Sequence, residues 1–560
     1  MQLRTSHIEQ LSHHTFDALI IGGGINGAVS AAALAGRGVK TALIDKGDFA
    51  GFTSMHSSNL VWGGIKYMES YDFGLVRKLC LSRNQLLRNY PSSVQEIRFF
   101  ATIAKGFRYP PFLLYLGTWL YWLIGNGYTR IPRLLSKPRI HTEEPIVNTD
   151  DAVGGFEYSD AYLYDNDARF VFNFVRTALD RGCVAANYLE SLGGQRIDGY
   201  WHIRVRDVIN GREFIVRAKV LINAAGPFAD QHNHLTDQTT AHHHVFSKGI
   251  HLIVRQLTPH RRVLSFFADD GRLFFVIPMG GHTCIGTTDT RVEQPETQVT
   301  DEDIDFVLNN INKRVKLDRP LGRDDIIATR CGVRPLAVET NDSAGRDFLQ
   351  LSRKHAIDAD LDTHTLSIFG GKLTDCINVG DEVCDLVRKM DVAIPYPNFK
   401  WYGEPPAAVR EEFFHRARLM ELDKLTVADA TEPLSVRLWR RYGAKAMDLL
   451  ALIGREPQQA EILIEGTEFT RCEMQYAARH EMITKLEDLL RRRTKIALVV
   501  RRKDIKQAPG LMEACDILFG AQAQEKFDDY FRSEESAESA SFQPDRTKNP
   551  QAHSQALNWK

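Results

Sequence analysis

Three features are scarce in this chain, and each scarcity argues against a class of protein. The eight cysteines are scattered without C-x-x-C spacing, which argues against a zinc site or a disulfide framework and suits a reducing compartment. The formal net charge is only -1, so no overall field attracts nucleic acid or anionic lipid. The longest strongly apolar run, Phe112 to Ile124, would span about 20 Å as a helix, short of the roughly 30 Å hydrocarbon core.

The N-terminus lacks the charged-then-apolar pattern of a secretory signal, so we expect a cytoplasmic protein. The apolar run can still lie in a membrane interface, because Trp119, Tyr121 and Trp122 suit that boundary and Arg108 and Arg130 flank it. The other interpretation is a buried or half-buried helix of the fold. Peripheral attachment to the inner face of the cytoplasmic membrane is therefore a hypothesis with one open alternative.

What the sequence does contain is a dinucleotide-binding motif within residues 16–46. An apolar run leads into Gly22, Gly24 and Gly27 at G-x-G-x-x-G spacing, and a small-residue helix and a second apolar run ending at Asp45 follow. The glycines allow a tight turn, close approach of the backbone to a pyrophosphate, and close packing of helix on strand. Asp45 is placed to accept hydrogen bonds from an adenosine ribose. The motif predicts binding of FAD or NAD without deciding between them.

The length of 560 residues predicts two or three domains. An N-terminal extension (1–15) precedes a dinucleotide-binding region (16–400), which encloses a β-rich part, mainly 230–365, expected to form the substrate sheet. Residues 401–532 carry Arg, Glu, Leu and Ala at helical spacing and predict a separate helical domain. Residues 533–560 are polar without apolar periodicity, so we expect a disordered tail.

Blocks of residues in a fixed order extend this interpretation over most of the chain. They include IGGGINGA (21–28), GGIKYME (63–69), LINAAGPFAD (221–230), KGIHLIV (248–254), IGTTDT (285–290), CGVRPL (331–336), FGGKLT (369–374) and LRRRTKIAL (490–498). In these blocks the chain resembles the FAD-dependent glycerol-3-phosphate dehydrogenases, within the D-amino-acid-oxidase-like flavoproteins.

The resemblance implies an α/β fold with an α+β second domain: a Rossmann-type FAD domain, an antiparallel substrate-binding sheet and a C-terminal helical cap. The cofactor it implies is FAD. The reaction it implies is oxidation of sn-glycerol 3-phosphate to dihydroxyacetone phosphate by hydride transfer to the flavin, with electrons passed to quinone or another acceptor. A small anionic substrate and a homodimer are further expectations, and no metal is expected.

The resemblance also assigns residues to the site. Arg334 and Arg346 match positions that hold the substrate phosphate, where a guanidinium offers two parallel charge-assisted hydrogen bonds, and Arg330 is an additional candidate. Lys372 is expected beside the flavin or the substrate, where a cation stabilises the reduced anionic flavin. The residues expected to contact FAD are Gly22, Gly24, Asn26, Gly27, Asp45, Lys46, Thr53, Ser57, Ser58, Gly63, Gly64, Ala225, Gly226, Gly371, Lys372, Leu373 and Thr374.

One segment, residues 53–69, departs from the family pattern S-S-x-S-S-K-L-I-H-G-G-L-R-Y-L-E. The lysine is Asn59, the histidine is Trp62 and the arginine is Lys66, while Tyr67 is retained. Lys66 and Tyr67 are still assigned to the catalytic site. An indole cannot accept a proton, and lysine loses the bidentate geometry of arginine. These changes put the substrate in question more than the cofactor.

Two histidines are candidate bases for the hydroxyl proton: His251, which matches a family position, and His56, in the altered segment. Three functions stay open, namely oxidation of glycerol 3-phosphate, oxidation of a different anionic hydroxy or amino compound by a diverged paralogue, and FAD binding without turnover. Nucleic-acid binding is not predicted. The basic run 490–504 is interpreted instead as a cationic helix face that contacts acidic lipid or substrate.

Overall fold

The computed structural model describes residues 2–269, 271–340, 354–428 and 430–541. Its strands are β1 (Thr15–Ile21), β2 (Thr41–Ile44), β3 (Leu60–Val61), β4 (Val94–Ala104), β5 (Arg133–Leu135), β6 (Ala152–Leu163), β7 (Val184–Ala186), β8 (Leu189–Ile197), β9 (Tyr200–Asp207), β10 (Glu213–Asn223), β11 (His242–Arg255), β12 (Arg262–Phe267), β13 (Leu273–Met279), β14 (His282–Gly286), β15 (Thr290–Val292), β16 (Ala328–Glu339), β17 (Ala356–Asp360) and β18 (Thr365–Phe369).

The α-helices described in the same ranges are α1 (Gln2–His13), α2 (Ile25–Gly36), α3 (Phe73–Asn89), α4 (Pro111–Ile124), α5 (Lys137–Glu143), α6 (Asp167–Asp180), α7 (Ala229–Leu235), α8 (Asp301–Arg314), α9 (Cys376–Lys389), α10 (Ala407–Leu419), α11 (Leu434–Tyr442), α12 (Ala446–Arg455), α13 (Arg471–His480), α14 (Ile496–Val499), α15 (Arg502–Gln507), α16 (Leu511–Phe519) and α17 (Ala523–Ser541).

The nucleotide-binding sheet is built around β1, whose apolar residues 18–21 are buried, as in parallel sheets covered on both faces. Strand β1 pairs in parallel with β2 and β10, and β10 pairs in parallel with β18. Helices α2, α6 and α9 contribute to the core on one face, while α1 and the β8–β9 hairpin contribute to the other. A hairpin with Asn210-Gly211 in its turn joins β9 to β10, and the end of β10 pairs with β1, Ile222 opposite Ile20.

The second sheet has ten strands in the order β15-β11-β14-β13-β12-β4-β6-β3, with β16 paired to β11 and β5 paired to β6. Most of its pairs are antiparallel, whereas β12 and β4 run parallel. Strands β11 to β16 all lie within the predicted part, 230–365. Strands β3 to β6 come from residues 60–163, so the sheet draws on more of the chain than the sequence pattern indicated.

Helices α10 to α17 form the helical domain, and buried ion pairs fix it to the nucleotide domain. The Asp48 carboxylate accepts hydrogen bonds from Arg492 Nε at 2.8 Å and from Arg493 Nη1 and Nη2 at 2.7 and 2.8 Å. The interpretation of 490–504 as a cationic helix face is therefore wrong for its basic core. Arg491, Arg492 and Arg493 are buried, because carboxylates of two domains and nearby backbone carbonyls satisfy most of their donors.

The end of the chain differs from the expectation in one respect. Helix α17 continues to Ser541, so residues 533–541 of the expected tail are helical, and residues 542–560 lie outside the described residues. In the part of the chain that the structure describes, no helix has both the length and the apolarity needed to cross a bilayer.

Candidate active site

A cavity of about 730 Å³ is lined by residues of both sheets and of the helical domain. Its volume lies within the range of roughly 300–1,000 Å³ usual for cofactor sites. Of the residues expected to contact FAD, those in its wall are Gly22, Gly24, Asn26, Asp45, Lys46, Thr53, Ser57, Ala225, Gly226, Gly371 and Leu373. Those outside its wall are Gly27, Ser58, Gly63, Gly64, Lys372 and Thr374.

The glycine turn at the end of β1 fits a dinucleotide for steric reasons. A Cβ on Gly27 would lie 1.8 Å from the Gly22 carbonyl oxygen, and a Cβ on Gly22 would lie 2.5 Å from the Ala224 oxygen. Gly24 is the N-cap of α2, and Ser54 Oγ accepts a hydrogen bond from Ile25 N at 2.9 Å. The first turn of α2 lies in the cavity wall, and its remaining N–H groups have no partner inside the helix. A helix N-terminus of this kind binds phosphate.

Asp45 lies where β2 ends, and its carboxylate holds the glycine turn. Its two oxygens accept hydrogen bonds from Gly23 N at 2.6 Å and from Gly47 N at 2.7 Å. Desolvation raises the pKa of Asp45 to about 6, against the opposing effect of these two hydrogen bonds. A carboxylate has about four acceptor positions, so Asp45 keeps acceptors for the predicted ribose contact.

Hydrogen bonds join the turn that follows β18 to helix α2 and to strand β11 of the second sheet. Asn26 Nδ2 donates to the Gly370 oxygen at 3.0 Å, and Gly370 N donates to His244 Nε2 at 3.0 Å. Gly370 and Gly371 have φ values of 61° and 104°, which favour glycine. The turn thus presents Leu373 at the cavity wall.

The altered segment lies directly against this turn. Lys372 Nζ is 4.3 Å from the centroid of the Tyr67 ring and 5.9 Å from that of Trp62, within cation–π range. The Trp62 indole donates to the Tyr158 hydroxyl at 3.2 Å, and Thr374 Oγ1 donates to the Trp62 carbonyl at 3.2 Å. The residue that replaces the family histidine is therefore part of the cluster around Lys372.

The remaining predicted residues of this segment occupy other positions. Lys66 is exposed, and Ser57 donates from N and Oγ to Asp167 at 2.8 and 2.9 Å. The Gly63 N–H donates to Asp160, and a Cβ on Gly63 would lie 2.2 Å from the Tyr121 hydroxyl. Gly63 is thus needed for packing behind the site rather than for lining the cavity.

One face of the paired strands β11 and β16, called the floor below, lies beside the cavity. The cavity wall includes Gly332 of this face but neither Arg334 nor His251. Ser247 pairs with Arg334, Gly249 with Gly332 and His251 with Arg330, and alternation puts all six residues on one face. A Cβ on Gly249 would lie 2.1 Å from Arg334 Nη2, and a Cβ on Gly332 would lie 2.6 Å from His56 Cβ. The two glycines therefore let Arg334 and His56 rest directly on the floor.

Polar groups of the same sheet hold the Arg334 guanidinium. Its Nη2 donates to Thr287 Oγ1 at 2.9 Å and its Nη1 to Ser247 Oγ at 3.4 Å. Asp289 Oδ1 is 3.6 Å from Nη1. The second predicted phosphate ligand, Arg346, lies outside the described residues.

Both candidate bases are neutral histidines with unpaired nitrogens. Among the described residues, neither ring nitrogen of His251 has a hydrogen-bond partner, nor does Nδ1 of His56. Burial, aided by the charges of Arg334 and Arg330, lowers the pKa of His251 to about 3. Burial and the charge of Arg491 lower the pKa of His56 well below its ordinary value. His56 lines the cavity, whereas His251 lies on the floor beside it.

Sequence reasoning missed the contribution of the helical domain to the cavity. Lys485, Glu487 and Arg492 lie in the cavity wall, and Arg492 also binds Asp48, next to the glycine turn. The block 490–498, which resembles the family, is the sequence signal for this contribution. Its interpretation as an exposed cationic helix face points away from the cavity.

Comparison with known proteins agrees with this geometry. A model of the family described as FAD dependent oxidoreductase matches residues 17–356, and one described as the C-terminal domain of alpha-glycerophosphate oxidase matches residues 406–526. The chain belongs to the FAD-dependent oxidoreductase family. Its cofactor is therefore FAD, as expected from the resemblance, and the two family matches separate the oxidoreductase region from the helical domain.

Relatives of this FAD-dependent oxidoreductase match over nearly their whole length or most of it. The aerobic glycerol-3-phosphate dehydrogenase of Escherichia coli is 30% identical over 86% of this chain and 94% of the relative. The mitochondrial glycerol-3-phosphate dehydrogenase of Homo sapiens is 27% identical over 93% of this chain and 72% of the relative. The FAD-complexed structure of the Bacillus halodurans glycerol-3-phosphate dehydrogenase, at 24% identity, has a TM-score of 0.71 and covers 95% of this chain and 96% of that one. The predicted fold class is confirmed.

The close approach at Gly27 generates a first prediction. Gly27→Ala puts a Cβ against the Gly22 carbonyl, where the backbone cannot yield, so we expect FAD content after purification to fall by about tenfold or more, a cost above about 1.4 kcal/mol. The measurement is flavin absorbance per protein. Gly117→Ala in α4 is the control, because nothing lies within 4 Å of its Cβ. FAD content in Gly27→Ala equal to that of the control would contradict the assigned turn.

Proposed function

We propose that this protein oxidises sn-glycerol 3-phosphate to dihydroxyacetone phosphate and delivers the electrons to a membrane quinone. FAD supplies the hydride-accepting chemistry, so the protein must bind the phosphate, orient the hydroxyl and accept its proton. The observation that carries the proposal is the placement of Arg334 and His251 on one face of β11 and β16. The names of the relatives from Escherichia coli and Homo sapiens support the same substrate.

Arg334 is the residue that we assign to the substrate phosphate. Its side chain is 22% exposed, so it is reachable, and Thr287 and Ser247 limit its rotation. A guanidinium held this way offers parallel N–H groups to two phosphate oxygens. Lys372, beside Tyr67 and Trp62, is the second cation that we assign to the reacting end of the substrate or to the flavin.

His251 is the base that we assign to the hydroxyl proton, and its environment gives substrate binding a chemical consequence. The charges of Arg334 and Arg330, together with burial, keep its imidazole neutral. A phosphate dianion bound at Arg334 offsets one of these charges and so raises the pKa of His251 toward its ordinary value. Binding of the substrate thus prepares the base that accepts its proton. His56, which lines the cavity, is the second candidate.

A different substrate is the second candidate function, and one observation favours it. Trp62 replaces the family histidine inside the Lys372 cluster, and Lys66 is exposed. Trp62 is not in the cavity wall, so we assign its effect on the substrate to its contact with Lys372. Flavin reduction by another polyol phosphate, hydroxy acid or amine, with none by glycerol 3-phosphate, would identify such a paralogue. The absence of reduction across the whole panel would indicate FAD binding without turnover.

Delivery of electrons to quinone requires contact with a membrane, and we assign that contact to α4. Its side chains Phe112, Leu113, Leu116, Leu120 and Leu123 are 44–60% exposed, and their spacing places them on one helical face. A contiguous exposed apolar face marks an interaction surface. Arg108 and Arg130, which flank α4, are 60% and 63% exposed and suit lipid headgroups.

Substitution of the floor glycine tests the phosphate assignment. Gly249→Ala displaces the Arg334 guanidinium, so we expect KM for glycerol 3-phosphate to rise about tenfold to a hundredfold, the effect of losing a charged hydrogen bond of about 1.5–3 kcal/mol. FAD content should not change. The assay is reduction of an artificial electron acceptor. Gly281→Ala, in a hairpin of the same sheet with open space around its Cβ, is the control. An unchanged KM in Gly249→Ala would exclude the phosphate assignment.

Removal of the base tests the second assignment. His251→Gln keeps a polar side chain of similar length but cannot take the proton, so we expect kcat to fall by about 10²–10⁴ with FAD content retained. Stopped-flow measurement of flavin reduction isolates the chemical step. A reduction rate within a few fold of the original protein would overturn the assignment, and His56→Gln in the same assay then examines the other candidate.

The membrane assignment is tested by liposome flotation. The double variant Leu116→Asp/Leu120→Asp loses two apolar anchors of about 1.5–3 kcal/mol each, so binding to anionic vesicles should fall more than tenfold. Leu419→Asp/Leu425→Asp is the control, because these leucines are 72% and 49% exposed in the helical domain. Equal flotation of both variants would contradict a membrane role for α4. A change of sedimentation from dimer to monomer would indicate a homodimer contact instead.

A further inference from the structure

Arg330 is a fully buried cation directly behind the wall of the cavity. It lies on β16 opposite His251, with 0% exposure. Its Nη1 donates to the Ser57 carbonyl at 2.5 Å and to Asn59 Oδ1 at 2.9 Å. Among the described residues, its Nε and Nη2 have no hydrogen-bond partner, and Nη2 forms an ion pair with Asp167 Oδ1 at 3.8 Å. Two charged donors are therefore buried without a hydrogen bond from this part of the chain.

The backbone and side-chain conformation of Asn59 places its amide oxygen against the Arg330 guanidinium. Asn59 is buried and has a φ of 59°, which asparagine tolerates better than most residues. Its Nδ2 donates to the Asp165 carbonyl at 3.2 Å, which leaves its oxygen directed at Arg330. The related sequence pattern has lysine at this position, and an ammonium there would stand against the buried guanidinium. Positions 59 and 330 are therefore coupled in this chain, since Asn59 Oδ1 accepts a hydrogen bond from the Arg330 guanidinium.

The groups around Arg330 indicate that something else completes this arrangement. Within the described ranges, Nδ1 of His56 and both ring nitrogens of His251 also lack a hydrogen-bond partner. Burial, aided by the charge of Arg330 among others, lowers the pKa of each histidine. An unsatisfied buried polar group costs about 1–3 kcal/mol, and such groups are rare without a ligand or an ordered water. Residues 55–57 and 331–333, on either side of Arg330, line the FAD cavity. Within this lining, Gly332 lies beneath His56.

We propose that Arg330 is a cofactor-tuning cation behind the wall of the FAD cavity. Its fixed charge stabilises the negative charge that FAD gains on reduction, and so raises the reduction potential. Ser57 and Asn59 hold the guanidinium in place. This inference requires FAD binding but not glycerol 3-phosphate oxidation, so it stands or falls separately from the proposed substrate.

The test compares Arg330→Met, Asn59→Lys and the double variant Asn59→Lys/Arg330→Met. Two properties are measured without substrate: FAD content, and the two-electron reduction potential by equilibration with a reference dye. We expect Arg330→Met to shift the reduction equilibrium about tenfold toward oxidised flavin, equivalent to about 30 mV for a two-electron couple. The double variant should recover most of that shift, because it restores one cation at the neighbouring position.

Two comparisons keep the outcome decisive. Arg437→Met removes a buried arginine of the helical domain that also has unpaired nitrogens, so it should alter thermal stability without altering the potential. Asn59→Lys should lower the thermal midpoint of the apoprotein more in the original background than in Arg330→Met. Only in the original background does the new ammonium face the Arg330 guanidinium. An unchanged potential in FAD-loaded Arg330→Met would overturn the proposal. Equal effects of Asn59→Lys in both backgrounds would overturn it even if Arg330→Met cannot retain FAD.

Discussion

The pairing of β11 with β16 is the constraint on which the rest of the site depends. All twelve residues of β16 are paired, so the register assigns a neighbour to every side chain on the floor. Two glycines face each other in the middle of this pairing, and each leaves space that a functional side chain fills. Without them, Arg334 and His56 would have to leave the floor. The positions of Gly249 and Gly332 therefore determine where Arg334 and His56 lie in the site.

Positive charge is concentrated on the floor. Arg330 lies opposite His251, with Arg334 on the same face, and burial together with these two charges lowers the pKa of His251 to about 3. Behind this floor, Asp48 joins the glycine turn to Arg492 and Arg493 of the helical domain, and Arg492 also reaches the cavity wall. The helical domain is thus part of the cofactor site, since breaking a buried ion pair by removing one partner costs about 3–5 kcal/mol.

Local patterns predicted the nucleotide domain well, and distant pairings account for what they missed. The glycine motif and Asp45 are short-range features, and the structure brings them together where β1 and β2 end side by side. The burial of Arg492 depends on a carboxylate 444 residues away in sequence, and the partner of Asn59 is 271 residues away. A charge run or a single substitution carries no local sign of such a partner. The position of Arg346 stays a prediction.

Anaerobic mixing of the FAD-loaded protein with sn-glycerol 3-phosphate tests the proposed oxidation in one step. We expect the absorbance of oxidised flavin near its visible maximum to bleach and dihydroxyacetone phosphate to form in a one-to-one ratio to reduced flavin. A flavin that stays oxidised with this compound, while dithionite reduces it fully, would contradict the proposed substrate and leave the family assignment intact.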